Sequence, residues 1–365
     1  MGGAVSIKIT SVKTKIISVP FKTPIRASTI LITKRNAIIV EVETDEGITG
    51  MGYMPILGRG SETIKACMDH DIADLIIGED PLYRNKIWEK LWWTLNMIGR
   101  KGVALYGLSA IDVALWDLAG KLQKTSIHKM LGPYTNQVKV YGSAGFMSLS
   151  DEELVAEAES FVARGFKAFK MKAGFPDLRV DLKRVTAVRR ALGPDIDIMV
   201  DVNQGLDVPA AIQFGRELEK LGVYWFEEPV PADDIIGHAE VARALDIRVT
   251  TGETEYSRYG FRELIERKAG DILMINLRAG GITEAVRIAN MASAHRISVT
   301  PHLAWELQNQ IYAAITNGVY IEYMDWYDDL FEDVPQIKDG MVRVWDRPGH
   351  GLKFRDEIVQ KYVVE

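Results

Sequence analysis

Residues 168–174 read AFKMKAG and place two lysines, Lys170 and Lys172, one residue apart in an apolar stretch. A strand puts residues i and i+2 on one face, so both ammonium groups enter the same space. Burying two like charges together is costly unless something nearby uses or neutralises them. Close ammonium groups also lower each other's pKa, so one of the pair is expected to be neutral near pH 7 and able to take a proton. Three carboxylates provide the complement. Asp201, Glu227 and Glu253 close the successive runs DIMVD, YWFE and RVTTGE. Three carboxylates meeting at one place would repel one another unless a cation sat among them. Oxygen-only ligation, with no Cys or His nearby, favours a hard ion: Mg²⁺ first, with Mn²⁺ or Ca²⁺ behind it.

Other polar groups recur at the same kind of position. Ser143, Asn203, Glu228, Asn276, His302 and Glu322 each stand at or just after the end of a short apolar run. His302 follows Pro301 at the end of ISVTPH and is expected across the site from the lysines. Glu322 is flanked by Tyr320 and Tyr323, and is expected as a protonated carboxylic acid that donates to a substrate oxygen.

The elements that must position these groups follow from the rhythm of the chain. From about residue 136, eight short runs alternate with amphipathic segments: VKVYGS, FKAFKMKAG, DIMVDVNQ, YWFEEP, RVTTGE, DILMIN, ISVTPH and YIEYMDW. Repeated β-α units of this number are what a (β/α)8 barrel requires, and its active site lies at the carboxyl ends of the strands. A doubly wound sheet is the rival, but no GxGxxG follows the early strands. Ser150 with Glu153 forms a potential capping box for the first helix, which Gly165 stops. Before this region the text reads as α+β: strands KTKIISVPF, AIIVEVETDEG and GITGMGYM, then helices within SETIKACMDHDIADLIIG, YRNKIWEKLWWTLNM and LSAIDVALWDLAGKL. The predicted organisation is an α+β capping domain over 1–133, a (β/α) barrel over 134–335, and a segment over 336–365 that returns to the cap.

Composition excludes several partners. The 365 residues are 26% charged and 47% hydrophobic, with a net charge of −6, which argues against nucleic acid or an anionic membrane as the main partner. The single cysteine, Cys67, leaves no disulfide framework and no CxxC metal site. MGGAVSIKIT lacks the order of a secretory signal, and no apolar run approaches the length needed to span a bilayer, so a cytoplasmic setting is expected.

These residues carry a resemblance. The sequence resembles the enolase superfamily and, within it, the mandelate racemase group, over almost the whole chain. LSAIDVALWDLAGK is similar to that group's helix at the domain junction, KMK to its K-x-K base motif, and VDVNQGLDVPAA to its third-strand ligand segment. WFEEP, TGE, PHL and YIEY follow in the family's order. The resemblance implies that Asp201, Glu227 and Glu253 hold Mg²⁺, that Lys172 is the base on one face of the substrate, and that Lys170 tunes it near the substrate carboxylate. It implies that His302 acts on the other face, that Ser143 and Asn203 contact substrate or the ligand shell, and that Glu322 donates to the carboxylate. The family chemistry is removal of the proton α to a carboxylate, giving an enediolate held by the metal. One departure stands out: the family pairs the histidine with an aspartate, where this chain has Asn276. An asparagine can accept from the histidine N–H but cannot stabilise imidazolium by charge, so His302 is expected as an acid or orienting group. Substrate choice is expected from the cap segments FKTPIRAST and GYMPILGRG, with Arg26 and Tyr53 as contacts; Glu228 is a further candidate. The reaction implied first is dehydration of a sugar acid to a 2-keto-3-deoxy acid. Racemisation of a 2-hydroxy acid comes second, lactone cycloisomerisation third and non-catalytic binding of an acid last. A homo-oligomer is expected by resemblance alone.

Overall fold

The alternating patterns of KTKIISVPF and AIIVEVETD form a long antiparallel hairpin in the computed structural model, which describes residues 7–364. Its strands are β1 (Ile9–Arg26) and β2 (Leu31–Thr44), and β3 (Thr49–Leu57) pairs antiparallel with β2. The DEG turn between β2 and β3 uses Gly47 at φ 72°, as its sequence indicates. One face of this sheet packs on the helix Val103–Leu122. Gly50 and Gly52 lie where a Cβ would come within 2.3 and 2.5 Å of the helix carbonyls of Ala114 and Ala110, so only glycine admits the approach. That helix is long and apolar enough to cross a membrane, with a mean hydropathy of 1.4, contrary to the sequence expectation. It is 89% buried inside the fold, which makes it the core helix of the cap.

The eight runs become eight parallel strands in order: β4 (Gln137–Ser143), β5 (Ala168–Lys172), β6 (Asp197–Asp201), β7 (Trp225–Glu227), β8 (Arg248–Thr251), β9 (Ile272–Asn276), β10 (Ser298–His302) and β11 (Ile321–Tyr323). β11 pairs parallel with β4, which closes the ring. β10 and β11 share no regular ladder. A bridge from Val299 to Gly318 and a hydrogen bond from Thr300 Oγ1 to Tyr320 O (3.0 Å) join them instead. Helices follow β4 to β10, and a 3-10 turn, Asp325–Leu330, follows β11. The helix Asp151–Ala163 begins with the full Ser150–Glu153 capping box. The fold is therefore the (β/α)8 barrel with an N-terminal cap.

Inside the ring, Tyr141, Ala168, Met199, Trp225, Ile272, Met274 and Tyr320 form an apolar plug. The polar residues lie further along, at or just beyond the carboxyl ends of the strands. The C-terminal segment does more than return to the cap. β12 (Ile337–Lys338) pairs with β13 (Met341–Arg343), which runs antiparallel to β4 of the barrel; further on, His350 and Phe354 lie against the cap and β14 (Val363–Val364) pairs with β1. Residues 1–6, on which much of the signal-peptide reading rests, lie outside the described residues.

Candidate active site

The polar strand ends meet at the mouth of the ring, in the order set by the strands. Asp201, Glu227 and Glu253 come from β6, from β7 and from just beyond β8, and each offers a carboxylate oxygen within 4.8 Å of the others. All three are buried. Trp225 in the plug donates from Nε1 to Glu227 Oε2 (2.8 Å), and Asn203 grips both oxygens of Asp201, from its backbone N–H (2.7 Å) and its Nδ2 (3.0 Å). Three converging carboxylate oxygens, with Asp201 held from behind by Asn203 and Glu227 by Trp225, are the donor chemistry of Mg²⁺.

The lysines of β5 face this centre. Lys172 pairs with Asp201; Lys170 lies 2.5 Å from Glu227 Oε1 and 2.8 Å from Glu322 Oε1. Against these carboxylates alone, neither lysine is the neutral one expected: burial works against both ammonium groups, but the charges of Glu227 and Glu322 on Lys170, and of Asp201 on Lys172, outweigh it and raise both pKa values. Nor is Glu322 the protonated acid expected. Burial alone would raise its pKa, but Lys170, then His302, holds it well below the usual carboxylate range. It is an acceptor: Ser143 Oγ donates to Oε1 (2.8 Å) and the Leu303 N–H to Oε2 (2.8 Å).

His302 lies on the other flank of the carboxylates, its Nε2 3.2 Å from Glu253 Oε2. Asn276 does stand beside it, with Nδ2 2.7 Å from His302 Nδ1. The amide does not accept from the ring, as the sequence reading had it. Its Oδ1 is taken by the Arg278 N–H (3.0 Å), so its Nδ2 faces the ring and donates. Neutral His302 then carries its proton on Nε2, pointing at the centre. Burial lowers the His302 pKa, with Glu253 and Glu322 partly offsetting it.

The remaining candidates divide. Glu228 is fully buried, accepts from Thr251 Oγ1 (3.0 Å) and the Gly252 N–H (2.8 Å), and so braces the ends of β7 and β8. Burial, then Glu253, pushes its pKa up to about 8. Tyr53 is 1% exposed and packs against Tyr327, Phe331 and Phe354 in the cap's aromatic core, so it is corrected from a substrate contact to a core residue. Arg26 is exposed at the tip of the β1–β2 hairpin, and its carbonyl accepts from the Met147 N–H (3.0 Å) beyond β4. Asn203, Gln204, Glu228, Leu303 and Ala304 all hold left-handed backbones at this mouth, an arrangement typical of functional sites. Sequence reasoning missed Arg278, whose side chain holds the Glu253 carbonyl and, at 2.9 Å, the Tyr106 hydroxyl. It missed Trp225 as well, because an indole inside a strand reads as core.

Comparison with known proteins agrees with this geometry. The family profile "Mandelate racemase / muconate lactonizing enzyme, N-terminal domain" matches residues 9–132, and "Enolase C-terminal domain-like" matches residues 153–358. The chain belongs to the mandelate racemase and muconate lactonizing enzyme group of the enolase superfamily. Within this superfamily it is 34% identical to the L-talarate/galactarate dehydratase of Salmonella typhimurium, over 95% of this chain and 88% of that one. It is also 34% identical to the 3,6-anhydro-alpha-L-galactonate cycloisomerase of Streptomyces coelicolor, over 86% of this chain and 88% of that one. The crystal structure of L-talarate dehydratase from Polaromonas, complexed with Mg and L-glucarate, superposes with a TM-score of 0.94 at 35% identity, covering 99% of this chain and 98% of that one.

Proposed function

We propose that the chain is a Mg²⁺-dependent sugar-acid dehydratase in which Lys172 removes the proton α to the substrate carboxylate. The observation that carries this reading is the placement of Lys172 and His302 on opposite flanks of three converging carboxylates. Mg²⁺ held by Asp201, Glu227 and Glu253 would supply positive charge for the substrate carboxylate and take over the charge that now keeps Lys172 an ammonium. Lys170, fixed between Glu227 and Glu322, stays charged and faces the substrate carboxylate. After proton removal, Lys172 is itself an acid on that face and returns the proton to the departing β-hydroxyl as water leaves. His302 donates an Nε2–H hydrogen bond from the other flank.

Asn276 separates this reading from racemisation. A racemase of this design needs a base on both faces, and a histidine whose Nδ1 accepts a hydrogen bond gains nothing from its neighbour when it takes up a proton. Cycloisomerisation is the second reading, favoured by the cycloisomerase relative. A cytoplasmic setting belongs to the same proposal and is supported by the single, buried cysteine. The test is a screen of mono- and diacid sugars with Mg²⁺, read for 2-keto-3-deoxy acids. Their formation is the expected result. The screen includes sugar-acid lactones and anhydro acids, and keto acid formed only from these cyclic compounds, by ring-opening elimination with no water released, would instead establish the cycloisomerase.

A further inference from the structure

The hairpin of β1 and β2 ends in residues 27–30, and this tip touches the barrel at the same place as the metal ligand of β6. Ser28 Oγ reaches the Gly174 carbonyl beyond β5 (3.5 Å), and Thr29 Oγ1 donates to the carbonyl of Asn203 (3.1 Å). The seat for the tip is built into the barrel. A Cβ on Gly174 or Gly205 would come within 2.5 or 2.2 Å of Ser28 Oγ, so two glycines leave a notch that this side chain fills. Asn203 is the link. Its left-handed backbone (φ 43°) sends its carbonyl to Thr29, while its N–H and Nδ2 hold the two oxygens of Asp201.

We infer that Thr29 is a positioning residue for Asp201, acting through Asn203, so that seating of the hairpin tip and cation binding at the barrel mouth strengthen each other. The inference rests on Asp201 being a metal ligand. An αL asparagine without an outside partner for its carbonyl is free to relax, and the carboxylate it grips then loses its aim. Whatever the tip contributes to cation affinity, the cation returns to the tip, because such coupling is reciprocal.

The test uses the full chain and Mg²⁺ alone, without substrate. Thr29→Val keeps the shape of the side chain and removes the donor; Thr29→Ser restores the donor; Ser28→Leu overfills the notch. Thr29 lies on an exposed part of the tip, so melting of its two variants without Mg²⁺ is expected to be unchanged, whereas Ser28→Leu, which unseats the tip, is read by cleavage. By calorimetry, Thr29→Val should bind Mg²⁺ about two- to ten-fold more weakly, the range for one hydrogen bond, and Thr29→Ser should bind as the parent does. Protease cleavage at residues 26–31 should be slowed by Mg²⁺ in the parent and much less so in Ser28→Leu. Parent-like Mg²⁺ affinity in Thr29→Val, or a cleavage rate indifferent to Mg²⁺ in the parent, overturns the inference. Neither readout involves a sugar acid, so failure of the proposed reaction leaves this result standing, and the reverse holds too.

Discussion

Asn276 decides more chemistry than its size suggests. With Oδ1 held by the Arg278 N–H, its amide can offer only N–H to His302, and the imidazole keeps its proton on Nε2. Asn276→Asp offers an acceptor to both neighbours. The expected result is a switch of the His302 proton to Nδ1, together with a raised histidine pKa from the added charge. Nitrogen NMR of labelled histidine reads the tautomer directly; the same Nε2–H form in both proteins would reject this assignment. The lysines teach the opposite lesson about reach. Their pairing was visible in AFKMKAG, but their charge state was not, because it depends on Glu227 and Glu322, which lie 57 and 152 positions away from Lys170 in the chain.

Among the elements, the helix Val103–Leu122 holds the two halves of the molecule together. Its Asp112 accepts from the N–H (2.9 Å) and hydroxyl (2.6 Å) of Thr283, which caps the barrel helix Gly281–Ala294 from outside that helix. Its Asp117 accepts from the N–H groups of Met51 in β3 (2.8 Å) and His350 in the tail (3.1 Å). The stretch from the end of β9 into its helix, which carries Asn276 and Arg278, is further pinned by Trp88 Nε1 on the Gly280 carbonyl (2.8 Å). Asp112 gives this element a pH signature. Burial, partly offset by Thr283, pushes its carboxyl up to about 6 from 3.8. The folded chain therefore holds this proton more tightly than the unfolded chain, and stability from this group rises as pH falls from about 6 towards 4. The burial cost of the charged form is about 3 kcal/mol above that window. Asp112→Asn keeps the acceptor without the charge, so denaturant unfolding of this variant should show a flatter pH dependence between pH 7 and 5. An unchanged slope would mean the carboxylate is charged at no cost.

For the molecule as a whole, the barrel was legible because each strand announces itself twice, by an apolar run and by a polar residue at its end. The eight runs sit where the sequence placed them, and the capping box of Ser150 and Glu153 forms as written. What stayed hidden was tertiary. LSAIDVALWDLAGK marks the junction helix, yet Thr283, held by Asp112, and His350, held by Asp117, lie 171 and 233 residues further on. Tyr53 read as a substrate contact because it stands in the cap segment GYMPILGRG, whereas Phe331 and Phe354 from the far end of the chain enclose it. The resulting assembly puts three mutually repelling carboxylates in one buried place, so a divalent cation should stabilise the whole fold. At one hundred times its dissociation constant, Mg²⁺ should add about 2.7 kcal/mol. Thermal melting is expected to rise with Mg²⁺ and return with chelator, and Asp201→Asn should lose most of the rise; equal shifts in both proteins would place the ion elsewhere.

The most direct measurement follows the α-proton itself. The protein, Mg²⁺ and a sugar acid accepted in the screen are combined in D2O, with Lys172→Ala in parallel, and the substrate C2–H and the product are followed by NMR. The parent is expected to consume the C2–H and form the 2-keto-3-deoxy acid, while Lys172→Ala does neither, although it still binds Mg²⁺. C2–H loss at the parent's rate in Lys172→Ala would contradict the assignment of Lys172 as the base.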